Sequence, residues 1–360
     1  WLDLQIWRKD NDVMRNIVSP LLLGSLMLSG CMTTAATVSS APTLDLTADS
    51  ETVPVGTVNR DAADDPAIWR NAADPANSLI IGTDKRAGLY VYGLDGSKKS
   101  FLPEGELNNV DLREVMIGGE KTVLVGASIR NDRANAQVGL YKLDTETAEL
   151  SLLGKYPAGP GEAYGFCFGQ DSGGETFAYM IEKSGFVREI TLSFDGGTPA
   201  ATIGREHKLA TQPEGCVVDD RTGRLYVGEE NAGIWLFDLN ADNFVPQRFA
   251  NINGSELVAD VEGLALAPEG ANGGYLVASS QGDNAYVLYD LITGTYVNRF
   301  RLVDGVIDGT SETDGIEVIL GDFGPAYPEG LMVMQDGANE GGTQNFKLVS
   351  WSKIKAAVAP

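Results

Sequence analysis

Histidine and cysteine are scarce in this chain. Its 360 residues include one histidine, His207, and three cysteines, Cys31, Cys167 and Cys216. A phosphatase built around histidine, or a zinc site with several histidine and cysteine ligands, needs more of them, so both are excluded. The helix-forming runs rich in Ala, Glu, Lys and Leu are also missing, whereas glycine occurs 43 times. Many short strands joined by tight turns are therefore expected.

Basic charge is also in short supply. The chain has 27 Lys and Arg against 50 Asp and Glu, which gives a formal net charge of −23. A protein this acidic repels nucleic acid and anionic lipid, so neither is an expected partner. Cations suit it instead, whether they are free or arrive with a substrate.

The beginning of the chain is typical of an export signal. Residues 14–31 read MRNIVSPLLLGSLMLSGC, with one basic residue, a short apolar core and a lipobox-like ending at Cys31. The apolar stretch is too short to span a bilayer as a stable helix. We assign residues 1–31 to upstream residues plus a signal peptide, and residues 32–50 to a polar tether. We expect an exported monomer, either secreted or held in the bacterial envelope only through a lipid anchor.

Two cysteines remain in the body of the protein. Cys167 and Cys216 could pair in an oxidising compartment, but their spacing does not show it. We expect two unpaired core thiols.

The body of the chain repeats six times. Each unit has an acidic or polar residue, a short apolar strand, a turn, and further apolar strands. The first-position residues are spaced by 46, 53, 50, 48 and 52 residues, and they are Asp65, Asp111, Tyr164, Glu214, Glu262 and Asp314. A period near 50 built from strands predicts an all-β, six-bladed β-propeller over residues 51–355. The segment 52–55 is expected to complete the last blade.

Equivalent positions in the blades of a propeller form rings around its axis. The first-position residues make one such ring, in which five of six are carboxylates. A second ring follows the second strand of each blade: Lys85, Arg130, Lys183, Glu230, Gln281 and Asp336. Its first three members are cations, and its last three are two acids and an amide.

This division of charge points to phosphate chemistry. Several carboxylates on one axis repel unless they are protonated, solvated or neutralised by a metal. Oxygen-only ligands favour Ca²⁺, which accepts roughly 6–8 oxygens at about 2.3–2.6 Å. Arg and Lys beside such a metal bind phosphate oxygens. The pattern therefore predicts metal-assisted transfer of a phosphoryl group to water.

Long stretches of the sequence resemble the β-propeller phytases, the calcium-dependent alkaline phytases of bacteria. These stretches are DAADDPAIW (61–69), TDKRAGLYVYGLDG (83–96), NNVDLR (108–113), EAYGF (162–166), EGCVVDDRTGRLYVGEENAGIW (214–235), VEGLALAPEGANGGYLVASSQG (261–282), DGTSETDGIEV (308–318) and QDGANEGGTQNFKLVSW (335–351). The resemblance implies a six-bladed propeller with several calcium ions at one pole. It also implies stepwise hydrolysis of phytate, myo-inositol hexakisphosphate, or of its calcium salt, as a 3-phytase type of enzyme. A neighbouring site would hold a second phosphate without cleaving it.

The resemblance also implies roles for individual residues. The substrate-binding set would be Lys85, Arg130, Tyr164, Lys183 and Gln281. The first four, with Glu214, Glu230 and Glu262, form the expected catalytic set. The expected calcium ligands, to which we add Asp314 from the first ring, are Asp64, Asp65, Val110, Glu214, Glu230, Asp260, Glu262, Gln281, Asp308, Asp314, Asp336 and Asn339. The family usually has Glu at Ser184 and Asn at Ile129, two departures near the phosphate sites.

The function expected is therefore calcium-dependent removal of phosphate from phytate by a metal-activated water. Two alternatives are a calcium-dependent six-bladed lactonase and a non-catalytic propeller that binds a partner in the envelope. A lactonase needs one metal and no basic triplet, so Lys85, Arg130 and Lys183 count against it. In a binding propeller, Tyr164, Gln281 and Asp308 would have no reason to match the family.

We predict that Cys31 anchors the protein to a membrane. The prediction rests on the LSGC sequence after the apolar core, which resembles a lipobox. In a bacterial host, Cys31→Ser should move the protein from the membrane fraction to the soluble fraction. Unsubstituted protein that already fractionates as soluble material would contradict the anchor but not the export.

Overall fold

The computed structural model describes residues 41–358 of the chain. The predicted signal peptide and lipobox at 14–31 lie outside the described residues. Within 41–358, no helix has the length and apolar character needed to cross a membrane.

Six small sheets, each of four or five strands, form a six-bladed β-propeller, as predicted from the repeat. Two short strands precede the first blade: β1 Leu44–Leu46 and β2 Ser50–Glu51. Blade 1 is β3 Ala63–Trp69, β4 Leu79–Asp84, β5 Gly88–Gly93 and β6 Lys98–Pro103. Blade 2 is β7 Leu107–Ile117, β8 Glu120–Ile129, β9 Asn135–Asp144 and β10 Glu149–Pro160. Blade 3 is β11 Ala163–Gln170, β12 Thr176–Glu182, β13 Phe186–Ser193 and β14 Ala200–Lys208.

The second half of the chain builds the other three blades. Blade 4 is β15 Pro213–Asp219, β16 Arg224–Glu229, β17 Gly233–Asp238 and β18 Gln247–Asn251. Blade 5 is β19 Val261–Glu269, β20 Gly273–Ser280, β21 Ala285–Asp290 and β22 Tyr296–Leu302. Blade 6 is β23 Ile316–Leu320, β24 Gly330–Asn339 and β25 Thr343–Ser350, and the helix α1 Trp351–Val358 follows it.

The ring is closed by strands from both ends of the described chain. β2 pairs antiparallel with β25, so an N-terminal strand completes the last blade. We predicted this role for residues 52–55; the strand itself is 50–51, and the pairing continues as Thr52 N–H donates to the carbonyl of Phe346 at 2.9 Å. β1 runs parallel to β22 on the outer edge of blade 5. Part of the stretch 32–50 assigned to the tether therefore belongs to a blade.

The apolar core lies between neighbouring blades. Strands with buried apolar side chains on both faces, such as Leu79–Asp84 and Gly88–Gly93, bury one face against each neighbour. One cluster of buried apolar side chains fills each of the six gaps, including the gap between blade 6 and blade 1. The innermost strands also pack against one another around the axis. This packing fixes the inner ends of the blades, where the candidate site residues lie.

The two body cysteines form a disulfide, so the expectation of free thiols was wrong. Cys167 on β11 and Cys216 on β15 have Cα atoms 5.8 Å apart and are separated by 49 residues. They lie on the innermost strands of blades 3 and 4, which are neighbours around the axis. Two residues separated by about one repeat period lie on neighbouring blades. The spacing in the sequence did not show that these two side chains would be in contact. The disulfide joins the two blades covalently next to the axis.

We predict that this disulfide stabilises the propeller. A cross-link that closes a loop of this length typically contributes about 2–4 kcal/mol to the free energy of unfolding. The double variant Cys167→Ser/Cys216→Ser should unfold at a lower denaturant concentration than the oxidised protein, and a reductant should then have no further effect on it. Equal midpoints for the oxidised protein and the double variant would show that the bond adds no stability.

Candidate active site

A β-bulge in the innermost strand positions the first ring of side chains. In blades 1 to 5 the pairing of this strand with its neighbour shifts just after its first residue. In blade 4, for example, Pro213 pairs with Glu229, whereas the next pair is Cys216 with Val227. A bulge re-aims the side chains next to it. The residues that it presents at this end of the strands are Asp64, Asn108, Tyr164, Glu214 and Glu262, and Asp314 precedes β23 in blade 6.

The predicted first ring was wrong in blades 1 and 2. Asp65 and Asp111 lie one and three residues beyond the bulge position. Asp65 accepts a hydrogen bond at 3.0 Å from the N–H of Val110, and both residues are among the expected calcium ligands. Asp111 is paired with Arg113 at 3.1 Å. The spacing of acidic residues did not locate the bulge, and in blade 2 the ring position is taken by the uncharged Asn108.

Glycine follows the ring residue where blades approach most closely. A Cβ at Gly215 would lie 2.1 Å from the carbonyl oxygen of Glu262 in the next blade, and one at Gly263 would lie 2.7 Å from that of Asp314. Any larger residue would push the blades apart. The Glu-Gly and Asp-Gly pairs of the sequence therefore hold neighbouring ring residues close together.

The second ring is present in five of the six blades. In each, the backbone N–H of the ring residue donates to a carbonyl two positions before the first-ring residue: Lys85 to Ala62, Arg130 to Glu106, Lys183 to Glu162, Glu230 to Gln212 and Gln281 to Asp260. Asp336 does not belong to this ring. It is fully buried, and Oδ2 lies 3.3 Å from the Nζ atom of Lys347. The longer strand β24 of blade 6 breaks the repeat at this point.

Three glutamates converge on the side of blades 4 and 5. Glu214, Glu230 and Glu262 each place one carboxylate oxygen within 4.8 Å of those of the other two. They line a pocket of about 350 Å³. Asn108 donates to Glu214 at 2.6 Å, whereas Oε2 of Glu262 is buried and has no hydrogen-bond donor among residues 41–358. The other lining residues are Asp61, Lys85, Tyr164, Gln212, Asp260, Gln281, Glu312, Asp314, Gln335 and Gln344.

Lys85 is surrounded by carboxylates at the edge of the same pocket. Its Nζ atom lies 2.7 Å from Asp61, 3.1 Å from Asp314 and 3.4 Å from Asp64. In the part of the chain that the structure describes, neither oxygen of Asp64 accepts a hydrogen bond, although the residue is almost completely buried. Gln281 donates to Asp314 at 2.5 Å. The ammonium group of Lys85 therefore partly neutralises the negative charge on this side of the pocket.

The ring of Tyr164 lies beneath two cations. The Nζ atom of Lys183 is 4.7 Å from its centroid, and the guanidinium carbon of Arg130 is 5.5 Å away. Arg130 also contacts the side chains of Asn108 and Glu162. The aromatic ring, which lines the pocket, favours both cations through its negative face.

Four carboxyl groups in or beside the pocket have raised pKa values. Burial raises the pKa of Glu230 to about 7 and that of Asp314 to about 6. The pKa values of Asp64 and Glu262 lie well above the ordinary range, mainly because both are buried, and repulsion from Glu214 adds to this. A cation that joins these groups would lower their pKa values and favour the charged forms near neutral pH.

Another group of expected calcium ligands lies elsewhere. The ammonium of the fully buried Lys347 contacts Asp308, Glu51 at 2.6 Å and Asp336 at 3.3 Å. Asp308 is thus held by Lys347 and does not line the pocket of the three glutamates. Asn339, at the end of β24, accepts a hydrogen bond at 2.8 Å from the N–H of Glu340.

Sequence reasoning missed several residues that shape the pocket. Asn108 and Gln212 donate to the glutamates, Asp61 pairs with Lys85, and Glu162 contacts Arg130. Gln212 and Glu162 lie two positions before a first-ring residue. This position is a third one that recurs in every repeat. It could have identified both residues, but only once the bulge had fixed the register of the strands.

Comparisons with known proteins agree with this geometry. The family model described as Phytase matches residues 14–359. A 3-phytase of Bacillus subtilis (strain 168) is 39% identical over 346 residues, which cover 91% of this chain and 89% of the relative. A chain in the crystal structure of a mitotic checkpoint complex superposes with a TM-score of 0.47 and 14% identity over 95% of this chain and 87% of that one, a likeness too weak to bear on function. The chain belongs to the phytase family.

Proposed function

We propose that this protein hydrolyses phytate stepwise to lower inositol phosphates and inorganic phosphate, as a 3-phytase type of enzyme. One observation carries the proposal: Glu214, Glu230, Glu262 and Lys85 line one pocket, and Arg130 and Lys183 lie over the ring of Tyr164, which lines it too. Membership of the phytase family and the 3-phytase from Bacillus subtilis support the same reaction. The lactonase and binding alternatives explain neither the cations nor this relationship.

Calcium is the cation that suits this pocket best. The donor set is made of carboxylates and amides, the oxygen ligands that Ca²⁺ prefers. Asp64 and Glu262 have buried oxygens without hydrogen-bond donors among the described residues, and the pKa values of these acids are raised, so the residues present fit a hard cation. We propose that Asp64, Glu214, Glu230, Asp260, Glu262, Gln281 and Asp314 hold one or more calcium ions. When bound, calcium would neutralise phosphate oxygens and make a nearby water more acidic.

The cationic side of the pocket would hold the substrate. Lys85, Arg130 and Lys183 can each donate charge-assisted hydrogen bonds to phosphate oxygens, and these strengthen as charge shifts in the transition state. Tyr164 would fix two of these cations and exclude water from beneath them. No serine, cysteine or histidine nucleophile is required, in keeping with a water attack.

We also propose that the protein is exported. The Cys167–Cys216 disulfide supports this, because such bonds persist mainly in oxidising compartments. The signal-like segment at 14–31 would supply the route, and the lipobox-like sequence that ends at Cys31 would supply the anchor.

We predict that calcium reverses the pH dependence of stability. Without metal, the raised pKa values mean that the folded protein binds more protons than the unfolded chain, whose carboxyl groups titrate near 4. The melting temperature of the metal-free protein should therefore fall as the pH rises from about 5 to 8. At a hundredfold excess over Kd, calcium should add about 2.7 kcal/mol near pH 8.

Thermal melts across this pH range, before and after calcium is restored, test the prediction. Phosphate release from phytate on the same samples should need Ca²⁺, and Mg²⁺ should replace it poorly because it demands tighter octahedral geometry. Full activity in chelator with unchanged melting would mean that these carboxylates hold no functional metal.

We predict that Arg130→Ala and Lys183→Ala each reduce kcat/KM on phytate by about 100-fold, since each removes a charge-assisted phosphate contact. Both variants should remain folded, because the two residues follow strands and lie in loops. Lys121→Ala is the matched control: it removes an exposed cation, paired with Glu114 at 2.6 Å, from the start of the strand that leads to Arg130. Near-normal kinetics in both site variants would contradict the assignment.

A further inference from the structure

Arg130 is only partly available to a phosphate. Its side chain is 10% exposed; Nη1 donates to Asn108, and Nη2 contacts Oε1 of Glu162. Its Nε atom is buried and has no hydrogen-bond partner in the described part of the chain. A guanidinium binds phosphate most strongly through two parallel N–H groups, such as Nε–H together with Nη2–H. A carboxylate therefore already occupies half of the edge that a phosphate would use.

Glu162 has a second cation within reach. The Nη1 atom of Arg133 lies 3.3 Å from the same oxygen that contacts Arg130. Arg133 also pairs with Glu106 at 3.0 Å, and its side chain is 51% exposed. Glu162 therefore lies between a buried arginine, which the substrate needs, and an exposed one.

The turn that carries Arg133 is held in place. Asp132 accepts hydrogen bonds from the N–H of Ala134 at 2.9 Å and from the side chain of Asn135 at 2.8 Å. The N–H of Lys183 donates at 3.1 Å to the carbonyl of Glu162. Neither backbone needs to move for the carboxylate to shift from one arginine to the other.

We propose that Glu162 is an internal counter-ion that competes with phosphate for Arg130, and that Arg133 is the positioning residue that takes over Glu162 when phosphate binds. This inference rests on the proposed function and deepens it. Displacing Glu162 to water would leave a carboxylate beside a polyanionic substrate, whereas Arg133 keeps it neutralised. The exchange lowers phosphate affinity in the resting protein and favours release of the phosphate product.

Two substitutions and their combination test the exchange. Glu162→Gln removes the competing charge, so KM for phytate and the inhibition constant for inorganic phosphate should both fall, by about threefold to tenfold. Arg133→Ala leaves Glu162 to Arg130 alone, so both constants should rise by a similar factor. These effects should appear in KM more than in kcat. Because Arg133 acts through Glu162, adding Arg133→Ala to Glu162→Gln should change neither constant.

Controls separate this mechanism from a general charge effect. Arg133→Lys should restore most of the lost affinity, and Lys121→Ala, which removes a remote exposed cation, should have no effect on either constant. Calorimetry of inorganic phosphate binding, with calcium present, gives the same comparison without turnover. It therefore tests the exchange even if the unsubstituted protein fails to hydrolyse phytate, an outcome that would refute the proposed function alone.

Two results would overturn the inference. A rise in KM and in the phosphate dissociation constant for Glu162→Gln would show that this carboxylate assists binding. An equal loss from Arg133→Ala with and without Glu162 would show that Arg133 acts on the substrate directly. The melting temperature of each variant should match that of the unsubstituted protein, which shows that a change in either constant does not come from a loss of folding.

Discussion

Repulsion among buried carboxylates is the constraint on which the pocket depends. Glu214, Glu230 and Glu262 approach one another closely enough to share one ion, and burial raises the pKa of Glu230 to about 7. Like charges in a partly dry site cost free energy unless a cation joins them. Lys85 supplies part of that charge. The site at the inner ends of the blades therefore favours a bound cation. A phosphate group can then bind to the same positive charge.

The propeller makes this arrangement possible because it repeats one local geometry. A bulge in the innermost strand of blades 1 to 5 presents one side chain to the axis, and a following glycine such as Gly215 lets the next blade approach. Different residues at equivalent positions then give one half of the propeller, blades 1 to 3, the cations Lys85, Arg130 and Lys183, and the other half the three glutamates of blades 4 and 5. The disulfide between Cys167 and Cys216 joins blades 3 and 4, where these halves meet, close in sequence to Tyr164 and Glu214.

The fold and much of the site were predictable from sequence. A strand-rich repeat near 50 residues indicated six blades, and the split charge of the second ring indicated phosphate and metal. The register was not predictable, because an acidic residue such as Asp111 near the expected spacing looks the same on either side of a bulge. Asp336 was misplaced because blade 6 departs from the repeat, and Lys347, which holds it, lies on another strand. The disulfide could not be predicted either, because its formation depends on which strands become neighbours in space.

Proton release on calcium binding tests the central claim most directly. If calcium binds to carboxylates whose pKa values are raised, it must displace the protons that they hold near neutral pH. Calorimetric titration of metal-free protein at about pH 6.5, in buffers of different ionisation enthalpy, measures this release. The account predicts protons released per calcium bound, and fewer of them in Glu230→Gln. Calcium binding without proton release, or no binding at all, would contradict it.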